Sequence, residues 1–316
     1  MPAPTEEELL SYFTTLSNWG RWGADDELGT LNLVTPAKRK QAAGLVREGI
    51  TVSCAWDIEN TAQPDHIMGT PQRFMVATGE GANDPDRPAA LGRMSAAMEF
   101  IGLVYHGVHV THVDGLSHIF WDGKMYNGAA AGKVTAGLGA TTKAITTLRD
   151  GVTTRGIVLD VAAVAGKEWL EPGEAVGPEL LEAAEKRQNV TVEEGDVVLL
   201  RTGYGRRKRE RGREQLSVIG SPGWGAASLP WLHARGVAMI GCDTAQDASP
   251  SPYPQVRIPV HAVGITAMGL WLIDNCDLEG VTATAARLGR SEFQFVLAPL
   301  RVIGGTGSPA NPLAIF

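Results

Sequence analysis

The chain has 316 residues, 44% of them apolar and 20% charged, with a net charge of −7 and a pI near 5.6. That is apolar material enough for a full core, and an acidic balance that excludes a protein tracking nucleic-acid phosphates. The start MPAPTEEELLSYF has no basic head and no apolar run. No window approaches the roughly eighteen uninterrupted apolar residues of a membrane span, so neither a signal peptide nor a membrane partner is expected.

In chain order, Glu6 to Leu16 reads as an amphipathic helix with Leu9, Leu10, Phe13 and Leu16 on one side. The stretch NWGRWGADDELGTLNLVTP comes next, with Trp19 and Trp22 flanked by glycines. It either presents aromatic surface to a ligand or plugs the edge of the core. Thr35 and Pro36 suit the N-cap and first turn of a helix through Val46 that stops at Gly49. Ile50 to Ile58 reads as a strand. Residues 60–95, polar and rich in Pro and Gly, read as a long loop able to act as a lid, with His66 exposed inside it. Ala96 to Val110 reads as one strand leading to a histidine cluster.

Ile157 to Val161 and Asp196 to Arg201 read as buried strands, with a helix from Pro178 to Lys186 between them. The basic run Arg206 to Arg213, RRKRERGR, reads as a solvated face. A helix from Ser228 to Arg235 precedes a strand from Val237 to Cys242 that runs into Asp243, Thr244 and Asp247. Asp243, at the carboxyl end of a buried strand, either faces a pocket or caps the next loop. Ile258 to His261 leads into the apolar stretch Ala262 to Ile273 and then Asp274. Ser291 to Pro299 supplies a last strand, and Gly304 to Asn311 a glycine turn with no lysine to make it a phosphate loop. Cys54, Cys242 and Cys276, widely spaced, fit reduced core thiols of a cytoplasmic protein. Without repeats or a linker, one α/β domain over residues 1–316 is expected. Residues about 1–49 form an arm serving a pocket or an oligomer interface.

The chemistry concentrates in YHGVHVTHVDGLSHIFWDGKMYNG, residues 105–128, which holds His106, His109, His112 and His118, four of the seven histidines. His112 and Asp114 are two apart, so on an extended backbone they share a face. Gly115 permits a turn that folds His118 back over it. Imidazole and carboxylate together suit zinc, manganese or iron(II), and a histidine held off the metal supplies proton transfer. The bland alternative is a set of hydrogen-bonded structural histidines.

THVDGLSH at 111–118 resembles the metal motif HxGTHxDxxxH of the cyclase family, which includes the bacterial kynurenine formamidases and isatin hydrolase. NWGRWGADDELGTLNL, DGKMYNG, LLRTGYG, GCDTAQD, IPVH and GGTGSPANP are similar, in order, to its larger branch. The resemblance implies a swivelling β/β/α fold, a barrel-like mixed sheet with peripheral helices, assembled as homo-dimers or homo-tetramers. It implies His112 and Asp114 as metal ligands and His118 as general base and acid. His261 and Asp274 stand where relatives complete the site with His and Glu.

The position of the first ligand, four before His112, is Val108, which binds no metal. On a regular strand His109 points to the opposite face. His106 shares the face but lies roughly 20 Å away at about 3.3 Å per residue, so only a bend, which Gly107 permits, brings either in. The resemblance thus implies one or two zinc or manganese ions. The reaction it implies is hydrolysis of a formamide, amide or lactam, with Trp19, Trp22 and Asp243 around a ring-bearing small molecule. Lactone or ester cleavage, ring closure, and a non-catalytic metal-stabilised binding protein are the alternatives.

Overall fold

The protein is seen here as a computed structural model that describes residues 3–86 and 94–316. Its centre is a curled, half-barrel sheet of nine strands. In chain order the strands longer than two residues, in this sheet and outside it, are β1 (Thr51–Ser53), β2 (Gln72–Ala77), β3 (Met98–Gly102), β4 (His112–Asp114), β5 (Val152–Asp160) and β6 (Val197–Arg201). They continue with β7 (Met239–Cys242), β8 (Trp271–Asp274), β9 (Glu292–Leu297), β10 (Gly307–Pro309) and β11 (Leu313–Ile315). The main sheet runs β1-β11-β9-β5-β6-β7-β8-β4-β10, while β2 and β3 pair as a separate hairpin. Strands β5, β6, β7 and β8 are mutually parallel, and the other pairings of the main sheet are antiparallel.

The pattern follows from sequence. Every residue of VVLLR in β6 is buried, as a parallel strand covered on both faces requires. EFQFVL in β9 alternates, with Phe293, Phe295 and Leu297 inward. Outside the sheet lie α1 (Glu6–Thr15), α2 (Pro36–Ala43), α3 (Pro178–Gln188), α4 (Tyr204–Arg211), α5 (Ser228–Ala234), α6 (Pro259–Val263) and α7 (Glu279–Leu288). Thr5 and Glu8 close a capping box on α1, and Thr35 accepts from Lys38 N at α2. The three cysteines are free and buried. Among the described residues no helix is long and apolar enough to cross a membrane.

Several expectations are corrected. Residues 60–95 are not all loop: QRFMVA forms β2, whose side chains are mostly exposed on both faces and so leave no alternation to read; positions 87–93 lie outside the described residues. The strand expected from Ala96 to Val110 is only Met98–Gly102, and it belongs to the hairpin. Ile50 to Ile58 contributes three strand residues, Thr51–Ser53. The basic run is not a solvated face throughout, because Arg207 and Lys208 are 6% and 7% exposed. Glu171 and Glu214 pair with Arg207, and Trp56 lies beneath Lys208. The helix α7 and strand β11 were not foreseen.

Candidate metal centre

Strand β4 is three residues long and sits between β8 and β10. His112 and Asp114 leave one face of it, and Asp274 is the cross-strand partner of His112. Residues 106–110 bend rather than extend, with Gly107 at φ 155°, a conformation that resists a side chain. The amide of Asn275 clamps the bend, donating to Gly107 O at 2.8 Å and Val110 O at 3.0 Å. His106 is thereby carried back over β4. Its ring occupies the space beside Gly307, where an added Cβ would lie 2.7 Å from His106 Cε1 and 2.5 Å from Val113 O. His106 thus stands beside His112 and Asp114, where Val108 offers no donor.

Two triads meet at Asp114, the first being His106, His112 and Asp114, the second Asp114, His261 and Asp274. In the first, Asp114 Oδ1 lies 2.9 Å from His106 Nδ1 and 3.4 Å from His112 Nε2. In the second, His261 Nε2 is 3.4 Å from both Asp114 Oδ2 and Asp274 Oδ2. Tetrahedral ligands about 2.0–2.1 Å from zinc stand roughly 3.3 Å apart, so the spacings suit a cation. Asp114 is fully buried, and beyond the ring nitrogens of the cluster neither carboxylate oxygen has a hydrogen-bond partner. A buried carboxylate left this way costs free energy that a bound cation recovers. The donor set therefore fits a divalent ion on either side of Asp114.

Of the candidate ligands, all but Asp114 are oriented from behind. His112 Nδ1 donates to Val110 O at 2.8 Å. His261 Nδ1 donates to Asp247 Oδ2 at 2.6 Å, while Asp247 also accepts Val260 N and His261 N at the start of α6. Gln246 Nε2 holds Asp274 Oδ1 at 3.0 Å, and Thr306 Oγ1 lies 3.1 Å from His106 Nε2.

Burial opposes a charged His112, yet Asp114 and Asp274 lift it to about 9. His261 is likewise driven well up, against burial, by Asp274, Asp114 and Asp247. Burial resists the Asp114 carboxylate, and His118 and His112 hold it well below the usual range. His118 behaves oppositely: burial first, then the neighbouring imidazoles, push it down to about 4, so it is neutral at pH 7. Its ring stacks on His106 with centroids 3.8 Å apart, and Nε2 stands 3.9 Å from Asp114 Oδ1.

Of the residues singled out in the sequence, His112, Asp114, His118, His261 and Asp274 are brought together. His109 is not with them: its ring packs against His66 at 4.4 Å, on the other side of the bend. Asp243 lies four residues before the carboxylate that serves the cluster, and spends its oxygens on Thr202 N, Thr202 Oγ1 and Gly203 N. Burial pushes it up to about 6. Trp19 Nε1 donates to Thr266 O, just past α6, and Trp22 lies under the Arg21 guanidinium. Sequence reasoning missed Asp247, Gln246 and Thr306 as orienting groups. Their signal was available: two stand in GCDTAQD and one in GGTGSPANP.

A curled mixed sheet that gathers imidazoles and carboxylates into a cation-fitted cluster defines a class of metal-binding fold. Residues 51–247 match the family described as Putative cyclase, and the chain belongs to that family. Among solved structures, a crystal structure described as a novel cyclase superposes with a TM-score of 0.85 at 28% identity, covering 96% of this chain and 100% of that one. Isatin hydrolase A from Ralstonia solanacearum aligns at 20% identity and TM-score 0.59, covering 87% of this chain and 95% of its own. Isatin hydrolase A from Labrenzia aggregata, bound to benzyl benzoate, aligns at 18% identity and 0.57, covering 86% and 94%. These last two share the fold. No curated protein matches the sequence.

Proposed function

We propose that the chain is a metal-dependent hydrolase that cleaves a C–N bond in a formamide, amide or lactam. The observation that carries this reading is Asp114: a buried carboxylate without hydrogen bonds beyond the ring nitrogens of the cluster, each oxygen facing its own pair of ligands, with His118 beside it. His106, His112 and Asp114 would hold one zinc or manganese ion, and Asp114, His261 and Asp274 a second. Such ions supply Lewis acidity and acidify water at neutral pH. The rest is the work of side chains. Asp247, Gln246, Thr306 and Val110 O fix the ligand geometry. His118 is neutral and about a quarter exposed, so it accepts a proton from attacking water and returns it to the departing nitrogen. Trp19 and Trp22 offer flat surface for a ring-bearing substrate. The reading includes assembly in more than one copy, supported by the apolar, exposed β2–β3 hairpin.

His118→Ala separates proton transfer from metal binding. Turnover should fall by about 10²–10⁴-fold while metal content, by mass spectrometry, stays at the wild-type level. Wild-type rates in this variant would remove His118 from its role. Wild-type protein that neither holds nor takes up metal would remove the hydrolase reading altogether. A panel of N-formylkynurenine, isatin, imides and simple lactones identifies the bond cleaved, and preference for lactones would shift the reaction to ester hydrolysis.

A further inference from the structure

Gln246 is fully buried, and its backbone is left-handed at φ 54° although it is not a glycine. Its Oε1 has no hydrogen-bond donor. Both features cost free energy, and they persist only where the surroundings over-determine the residue. The backbone is pinned by Trp224 N, which donates to Gln246 O at 2.7 Å, and a Cβ at Gly223 would stand 2.1 Å from that oxygen. The side chain is pinned at the other end of the amide. Nε2 donates to Ile273 O at 2.6 Å and to Asp274 Oδ1 at 3.0 Å. A flipped amide would set its oxygen against two others, so these two N–H groups fix the orientation.

The consequence falls on the inner triad of Asp114, His261 and Asp274. Asp274 turns Oδ2 towards His261 Nε2 at 3.4 Å, while its Oδ1 is already held by Gln246. Asp114 divides its oxygens between the two triads, Oδ1 beside His106 and Oδ2 beside His261. Neither carboxylate is then free to chelate through both oxygens. The inner triad offers a cation one imidazole nitrogen and two single oxygens. Zinc, which is satisfied by four ligands, accepts so small a set. Manganese and above all calcium, which gather six or more ligands and draw on bidentate carboxylates, are poorly served by it.

We infer that Gln246 sets the cation preference of the inner triad, favouring zinc by holding Asp274 to a single oxygen. The inference rests on the metal centre of the hydrolase reading and adds a determinant of selectivity to it. Gln246 acts through Asp274 and is a positioning residue.

The test uses the full-length chain carrying His106→Ala, which leaves the inner triad as the complete one. Affinities for zinc, manganese and calcium are measured by competition with chelators. Adding Gln246→Met, close to isosteric but without N–H groups, releases Asp274 Oδ1. Zinc should then weaken about 10–100-fold, and manganese and calcium at least about tenfold less, so that the preference for zinc over either falls by about tenfold or more. Gln246→Asn keeps an amide and tolerates the left-handed backbone, but is one methylene too short to reach Asp274. It should shift the preference in the same direction, and it decides the matter if Gln246→Met does not fold. A common factor for all three cations would overturn the inference, since a residue that only orients a ligand weakens every ion alike. Unaltered affinities would overturn it too, as would a His106→Ala parent that takes up none of the three. The hydrolase reading survives each of those results, and falls together with this inference only if the unaltered chain binds no cation.

Discussion

Asp247→Asn tests the second half of the metal centre without touching a ligand. The wild-type carboxylate receives three N–H groups: Val260 N at 2.7 Å, His261 N at 3.2 Å and His261 Nδ1 at 2.6 Å. An asparagine can keep its oxygen on Val260 N. Its NH₂ then replaces the oxygen that served His261 and meets two donors. The backbone N–H cannot retreat, so the ring changes instead. The proton moves from Nδ1 to Nε2, Nδ1 becomes the acceptor, and Nε2 loses the lone pair it offers between Asp114 and Asp274. Loss of such an orienting carboxylate typically costs 10–100-fold in metal affinity, or about 1.4–2.7 kcal/mol. Chelator competition with zinc and manganese measures this, and ¹⁵N chemical shifts of the His261 ring, recorded on the zinc-loaded proteins, report which nitrogen carries the proton. Affinity within about twofold of wild type, with the Nδ1–H tautomer retained, would refute the reasoning.

Three further outcomes are expected. Gly307→Ala places a methyl 2.5 Å from Val113 O and 2.7 Å from His106 Cε1. It should destabilise the protein by about 1–3 kcal/mol in urea and weaken metal binding; an unchanged midpoint would show that the cleft has slack. His109 is pushed down to about 4, mainly by burial and then by His66, so the folded state prefers it neutral. Its contribution to stability is complete above the unfolded value of about 6.5 and is lost as pH falls from there towards about 4. The wild type should therefore lose more stability than His109→Gln between those limits, and parallel denaturation curves would contradict this. On the hairpin, Val76 and Ile101 are 65% and 53% exposed. Val76→Glu with Ile101→Lys should reduce the mass found by light scattering; a monomeric wild type, or an unaltered assembly, would end the oligomer reading.

The residues that were legible in sequence are those whose geometry is local. His112 and Asp114 share a face because a strand alternates, and β6 announced itself as a continuous apolar run. His106 was not legible, because a regular strand puts it out of reach. Only the bend locked by Gly107 and Asn275, the latter from a distant part of the chain, returns it. Asp247 was hidden for a related reason. Strand β7 ends at Cys242, and the eye stops at the first carboxylate, Asp243, whereas the useful one appears after the chain has turned. Lys208 looked solvated because a run of arginines and lysines carries no mark of which members find buried partners. Strand β2 failed in the opposite sense, because a ribbon exposed on both faces has no core to imprint a period on its sequence, whereas β3 lies within the strand expected from Ala96 to Val110.

The placement of β4 sets a timetable. Its three residues have no lateral support until β8 and β10 arrive, some 160 and 195 positions later in the chain. A growing polypeptide can expose His106, His112 and Asp114 long before His261 and Asp274 exist to join them. A half-site of that kind grips a cation loosely and competes with other thiol- and imidazole-rich sinks. The proposed site is complete only once residue 309 has been synthesised and laid beside His112. On the proposed ligand set, metal uptake is a report on completed folding.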